Sequence, residues 1–208
     1  MLLRENTITQ FTDVLASEAP APGGGSVAAL NGALGAALLR MVGALTAGKE
    51  KYKDFHAEIG QIMNGAKGLQ NALLAGIDED TEAFNKVSDV FSMPKATDEE
   101  KAARTSAMQS ALKGAALTPL ETMKAAFECL KLAEKSYGKI NTNCVSDYGS
   151  AVLCALAAVR AAWLNVKINL SGIKDDDFRE KTGSQGRQIL AESEKLAEEL
   201  YGKIEQGI

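Results

Sequence analysis

Pro20-Ala21-Pro22-Gly23-Gly24-Gly25-Ser26 leads straight into residues 27–48, a run of Ala, Leu, Gly, Val and Met broken only by Asn31, Arg40 and Thr46. Two prolines fix φ, three glycines free it, and Ser26 stands where a helix N-cap is expected. A helix that starts on glycines leaves its first N–H groups bare. Together with the positive end of the helix dipole, that start suits an anion or a polarised carbonyl. Val27, Leu30, Leu34, Leu38, Met41, Val42 and Leu45, with Gly32, Gly35 and Gly43 between them, make the helix apolar round most of its circumference. Such a helix belongs in a core, and its small residues let neighbours come close. The same stretch also reads as a core helix behind an ordinary glycine turn. Its length approaches that of a membrane span, but Asn31, Arg40 and the Gly/Ala content make it a poor insertion sequence, so no membrane partner is expected.

A chain of 208 residues fits one domain, 1–208, and can bury a full core without disulfides or a structural metal. The net charge of −4, with no segment rich in Lys and Arg, argues against a nucleic-acid partner. Cys129, Cys144 and Cys154 are odd in number and lack CxxC spacing, which points to neither a disulfide framework nor a zinc site and fits a reduced, cytoplasmic compartment. His56 is the only histidine, which weighs against a His-based metal site or a Ser-His-Asp triad; no metal is expected. Acid–base work must then fall to carboxylates, Lys, Tyr, Cys or water. Met1-Leu2-Leu3-Arg4-Glu5-Asn6 lacks a basic segment followed by an apolar one, so no secretion signal is expected.

Along the chain the period is helical throughout. Thr7 and Gln10 form a capping box ahead of Ile8, Phe11, Val14 and Leu15, a short helix that must end before Pro20. Lys49, Lys51 and Lys53 surround Tyr52 in a basic turn. From Phe55 through Ile59, Ile62, Leu69, Leu73, Ile77 and Phe84 to Phe91 the apolar stripe is long enough to span the molecule and implies a rod in a bundle. Asp80 stands three residues after Ile77 and four before Phe84, on their apolar face, an unusual place for a carboxylate. Thr97 and Glu100 repeat the capping box. Thr118-Pro119 either divides the next helix or kinks it, and Gly138 can close it. After a polar loop over residues 139–147, Ser146 and Asp147 can cap a second Ala-rich, central helix that runs through Trp163 to Asn165 and Asn169, two amides on one face. Asp175 to Asp177 can open a last, outer helix. No strand pattern and no internal repeat is evident.

Several blocks carry a resemblance: Pro20 to Ala29, Gly48-Lys49-x-Lys51-Tyr52, Asp80-Thr81-Glu82-Ala83-Phe84, Asn141-x-Asn143 with Ser146-Asp147, and Asn165-Val166-x-Ile168-Asn169-Leu170. In that order, and over nearly the whole chain, they resemble the formiminotetrahydrofolate cyclodeaminase and methenyltetrahydrofolate cyclohydrolase family. The resemblance implies an all-α bundle of long antiparallel helices, here with two buried Ala/Gly-rich helices, a homodimer, and a tetrahydrofolate derivative as substrate with no further cofactor. Some members carry this domain behind a formiminotransferase; that half is expected to be absent here. The hydrolase reaction needs no such neighbour and comes first, converting 5,10-methenyltetrahydrofolate and water to 10-formyltetrahydrofolate. The deaminase reaction, releasing ammonia from 5-formiminotetrahydrofolate, is the alternative, and a helical scaffold without activity is the third reading.

Both reactions pass through a tetrahedral carbon held by N5 and N10, so one site serves either. A group must take a proton from the attacker and return one to the departing nitrogen; Asp80 is the first candidate and Asp147 the second. A helix cap is the plain alternative for Asp147, and an ion pair with a lysine for Asp80. Gly23, Gly24, Gly25 and Ser26 are assigned to a pterin carbonyl or tail carboxylate, and Lys49 and Lys51 to the glutamate tail. Asn141, Asn143, Asn165 and Asn169 are assigned to the pterin edge, since each amide offers a donor and an acceptor.

Overall fold

A computed structural model describes residues 2–208 of the chain. Six α-helices carry the fold: α1 Ile8–Leu15, α2 Gly24–Thr46, α3 His56–Phe91, α4 Asp98–Ser136, α5 Val145–Leu170 and α6 Asp176–Glu205, and the described residues contain no strand. Short 3₁₀ turns at Leu3–Glu5, Glu50–Phe55 and Thr142–Cys144 join them.

The local signals place most boundaries. Thr7 with Gln10 and Thr97 with Glu100 both form complete capping boxes at the starts of α1 and α4. Asp175 caps α6 through the Phe178 N–H, and Gly138, at φ +78°, follows the end of α4. Pro119 does not divide its helix: α4 runs unbroken through it for 39 residues, roughly 58 Å at 1.5 Å per residue.

Two helix starts differ from the expectation. The N-cap of α2 is Gly23, with Ser26 three residues inside the helix; the capping acid comes from α3. The N-cap of α5 is Cys144, with Ser146 and Asp147 inside its first turn. There Asn141 takes the capping role for the preceding 3₁₀ turn, accepting the Asn143 N–H at 3.2 Å, so the chain is already helical when it reaches Ser146.

α2 and α5 lie antiparallel at the centre, α2 packed on α3 and α5, and α5 also on α4 and α6. The main core joins Leu39 and Val42 of α2, Ile59, Ile62 and Leu73 of α3, Leu130 of α4, Tyr148 and Val152 of α5, and Leu200 and Ile204 of α6. The buried Tyr148 hydroxyl is satisfied by Ser136 and the Ala133 carbonyl. α2, and the Thr142–Leu170 segment containing α5, are long and apolar enough to cross a membrane, but each packs along one flank and leaves the other open; their most apolar windows are 50% and 44% buried. The spine depends on small residues: a Cβ at Gly35 would stand 3.0 Å from the Ala151 carbonyl oxygen and 3.2 Å from the Ala155 nitrogen. Gly35→Ala must push the two central helices apart. A loss of about 1–3 kcal/mol is expected, read as a lower denaturant midpoint, despite alanine's better helix propensity.

Candidate active site

The bare start expected of α2 is present, and a carboxylate has been brought to it. The first intrahelical bond of α2 runs from the Val27 N–H to the Gly23 carbonyl, and the Gly24 and Gly25 N–H groups have no acceptor among the described residues. Asp80, on α3, reaches across to this turn. Its Oδ2 accepts from the Ser26 hydroxyl at 3.0 Å, and the Ser26 backbone N–H helps to stabilise its charged form. A helix start is thus capped by an acid 54 residues away in sequence. The approach is permitted by a missing Cβ, because one built at Gly25 would fall 2.1 Å from Asp80 Oδ1.

The electrostatics are opposed. Burial pushes the Asp80 carboxyl above its ordinary value, while the Ser26 hydroxyl and N–H pull it partly back. No salt bridge reaches Asp80 among the described residues, so the expected alternative of a lysine partner is absent. The neighbouring Asp78 takes the structural role instead, accepting the Leu3 N–H at 2.6 Å and facing Arg4 at 3.5 Å. Ser26 is fully buried and touches no solvent. Its single hydroxyl hydrogen faces two acceptors, Asp80 Oδ2 and the Ile77 carbonyl at 3.1 Å. With Asp80 ionised, Ser26 donates to it; with Asp80 protonated, the hydroxyl turns to Ile77 and accepts from the acid. Either way the carboxyl keeps its place.

This turn forms the floor of a cleft of about 340 Å³ lined by Gly23, Gly24, Gly25, Asp80, Phe84, Asn165 and Asn169, among others. Pro20 and Ala21 form one wall, Ala115 of α4 and Ile168 of α5 another. The two amides of α5 are tied back: Asn165 Nδ2 donates to the Ala161 carbonyl at 2.9 Å, and Asn169 Nδ2 to the Ala115 and Asn165 carbonyls at 3.0 and 2.9 Å. The cleft therefore combines bare N–H donors, amide oxygens and one desolvated carboxylate, a set able to hold a flat heterocycle and move a proton beside it.

The remaining sequence candidates lie elsewhere. Lys49, Lys51, Asn141, Asn143 and Asp147 gather at the opposite end of α2, roughly 34 Å away for its 23 residues. Asn141 is buried and spent on structure, its N–H donating to Thr46 Oγ1 at 2.9 Å and its Nδ2 to the Leu45 carbonyl at 3.2 Å. Lys49, Lys51 and Asn143 are exposed and Asp147 half-buried. Sequence reading missed a second cavity, about 390 Å³, which Lys95, Lys101, Arg104 and Lys174 line with Phe91 and Met108. It follows the cleft along the same elements: Phe91 is one turn beyond Val87 on α3, and Gln109 of α4 binds both the Gly172 carbonyl and the Lys174 N–H past the end of α5. These cations are scattered over three segments, so no local run announced them.

Residues 7–188 match the formiminotransferase-cyclodeaminase family. The chain is 44% identical to a methenyltetrahydrofolate cyclohydrolase of Methylorubrum extorquens over 97% of each chain. It is 31% identical to the formimidoyltransferase-cyclodeaminase of Rattus norvegicus over 98% of its own length, but spans only 38% of that protein. The crystal structure of formiminotetrahydrofolate cyclodeaminase from Thermotoga maritima superposes with a TM-score of 0.82 at 29% identity, covering 99% of this chain and 96% of that one. By sequence along almost its whole length and by its helical architecture, this chain belongs to the formiminotransferase-cyclodeaminase family.

Proposed function

We propose that the protein is a methenyltetrahydrofolate cyclohydrolase acting in the cytoplasm, with the cleft at the start of α2 as its active site. The observation that carries the reading is Asp80: a desolvated carboxylate without a counter-cation, held by Ser26 on the floor of a cleft sized for a pteridine. Likeness over 97% of both chains to a cyclohydrolase puts hydrolysis first, and the three free cysteines suit a reducing compartment.

In the reaction, water adds to the amidinium carbon between N5 and N10 of 5,10-methenyltetrahydrofolate. Asp80 takes the proton that water loses as the new C–O bond forms. The Gly24 and Gly25 N–H groups face the oxygen of the tetrahedral carbon. Protonated Asp80 then returns a proton to N5 as the C–N5 bond breaks, leaving the formyl group on N10; one proton is released overall. The second reading, supported by the cyclodeaminase likenesses, uses the same carboxyl: N10 attacks the formimino carbon, loses its proton to Asp80, and ammonia departs carrying one.

The tail carboxylates of the folate run from the cleft towards Lys95, Lys101, Arg104 and Lys174 rather than to Lys49 and Lys51. The active form is a homodimer built on the apolar stripes of the two central helices. On α2, Leu30, Leu34, Met41 and Leu45 recur with an 11-residue period on the open flank, and on α5 Leu153, Ala157, Leu164 and Ile168 do the same. A twofold axis through the middle of this face sets the Asn141–Asp147 end of one copy beside the cleft of the other, which returns those residues to a site they do not reach within one chain.

Incubated with 5,10-methenyltetrahydrofolate, the purified protein should remove its chromophore faster than it releases ammonia from 5-formiminotetrahydrofolate. Asp80→Asn and Gly25→Ala should each lower that rate at least about 10²-fold. The sign with pH follows from the raised carboxyl: kcat/KM should fall as pH drops through a value above that of a free aspartate. The folded state should carry the penalty of the buried charge above that pH, so Asp80→Asn should raise Tm at neutral pH and lose this advantage in acid. Full activity in Asp80→Asn would remove the assignment. Lys95→Glu with Lys174→Glu should raise KM about tenfold with kcat unchanged, whereas Lys49→Glu should not. Leu34→Asp with Leu164→Asp should yield a monomer on sedimentation and lose activity in parallel with dimer content.

A further inference from the structure

Pro119 lies in the middle of a 39-residue helix and is itself buried. Proline there has no N–H for the carbonyl four residues earlier, and its ring forces that carbonyl outward. The carbonyl concerned is Ala115, which lines the cleft. It is not orphaned, because Asn169 of α5 donates its Nδ2 to it at 3.0 Å. The second hydrogen of the same amide goes to the Asn165 carbonyl at 2.9 Å. Two carbonyl oxygens can be met only by the NH₂ end of an amide, so the orientation of Asn169 is fixed by chemistry, and both its hydrogens are spent. What remains for the cleft is Oδ1.

We propose that Pro119 is a positioning residue: its ring turns the Ala115 carbonyl out of the helix ladder towards Asn169, which is anchored on it and holds Oδ1 in the cleft as a fixed acceptor that selects a hydrogen-bond donor edge of the ligand. On the folate reading, on which the choice of ligand rests, that edge is one of the N–H groups of the reduced pteridine ring. Asn165 spends one Nδ2 hydrogen on the Ala161 carbonyl and keeps the other, so beside that acceptor it offers the cleft a donor as well. A proline in a helix interior lowers stability against almost any other residue. Its presence beside the cleft is accounted for by the carbonyl it frees.

The test is a double-mutant cycle with an activity-free readout. Pro119→Ala restores the helical bond to Ala115 and should raise Tm by a few degrees. It should also raise KM for 5,10-methenyltetrahydrofolate about five- to tenfold while kcat stays within about twofold. Asn169→Ala should raise KM by at least as much, and adding Pro119→Ala to it should have no further effect. The Asn169 side-chain amide protons, assigned by their loss in Asn169→Asp, should exchange with solvent at least about tenfold faster in Pro119→Ala than in the unaltered protein. If Pro119→Ala raises Tm but leaves KM unchanged, or if the two substitutions add, the proposal is overturned. If the unaltered protein turns over neither folate, the functional reading fails and amide exchange decides alone: equal rates in both proteins overturn the role of Pro119, and faster exchange in Pro119→Ala upholds it.

Discussion

The contact on which the rest of the site depends is between the Asp80 carboxylate and the first turn of α2. A helix N-terminus in a core needs an anion or a capping oxygen, and the glycine run supplies neither. Asp80 supplies both from another helix, held there by the Ser26 hydroxyl. The helix dipole and Ser26 favour the charged form, burial disfavours it, and burial prevails. The outcome is an acid placed to be lost and regained during a reaction, with Ser26 able to hold it in either state.

The cleft is assembled from backbone groups that the helices cannot satisfy for themselves. The Gly24 and Gly25 N–H groups are free because α2 begins there. The Ala115 carbonyl is free because Pro119 has no hydrogen to give it, and Asn169 is anchored on it. Both depend on close packing: Gly25 admits Asp80, and Gly24 lies beside Asn165, whose Nδ2 would be 3.2 Å from a Cβ there. Small residues on α2 thus serve stability at Gly35 and chemistry at Gly25 by the same means, absence of a side chain.

The two central helices carry a second consequence of their composition. They are the two described helices long and apolar enough to cross a membrane, yet each is covered on one flank only. The uncovered stripe runs from the cleft, where Ile168 forms part of the wall, to the turn where Asn141 caps the end of α2. The family motifs divide between the ends of this stripe, Gly23–Gly25, Asp80, Asn165 and Asn169 at one and Lys49, Lys51, Asn141, Asn143 and Asp147 at the other. A twofold arrangement of copies across such a face joins unlike ends.

What could be read from residues alone was what is decided locally. The capping boxes at Thr7 and Thr97 close within four residues, the helical period marks Asp80 as an acid on an apolar face, and the glycine run marks a bare helix start. Motifs in order along the chain sufficed for the family. The capping of α2 by Asp80 was not legible, because its partners stand 54 residues apart, and Ser26 was therefore read as a cap when it is the group that receives one. Nor was the choice between a break and continuation at Pro119, which is settled by an amide on α5 that takes over the freed carbonyl. The chain by itself determined the helices and the residue types able to do proton chemistry. Only tertiary structure decided which of them share a cleft, because burial and long-range hydrogen bonds, not sequence spacing, set the distance between a carboxylate and the N–H groups that hold it.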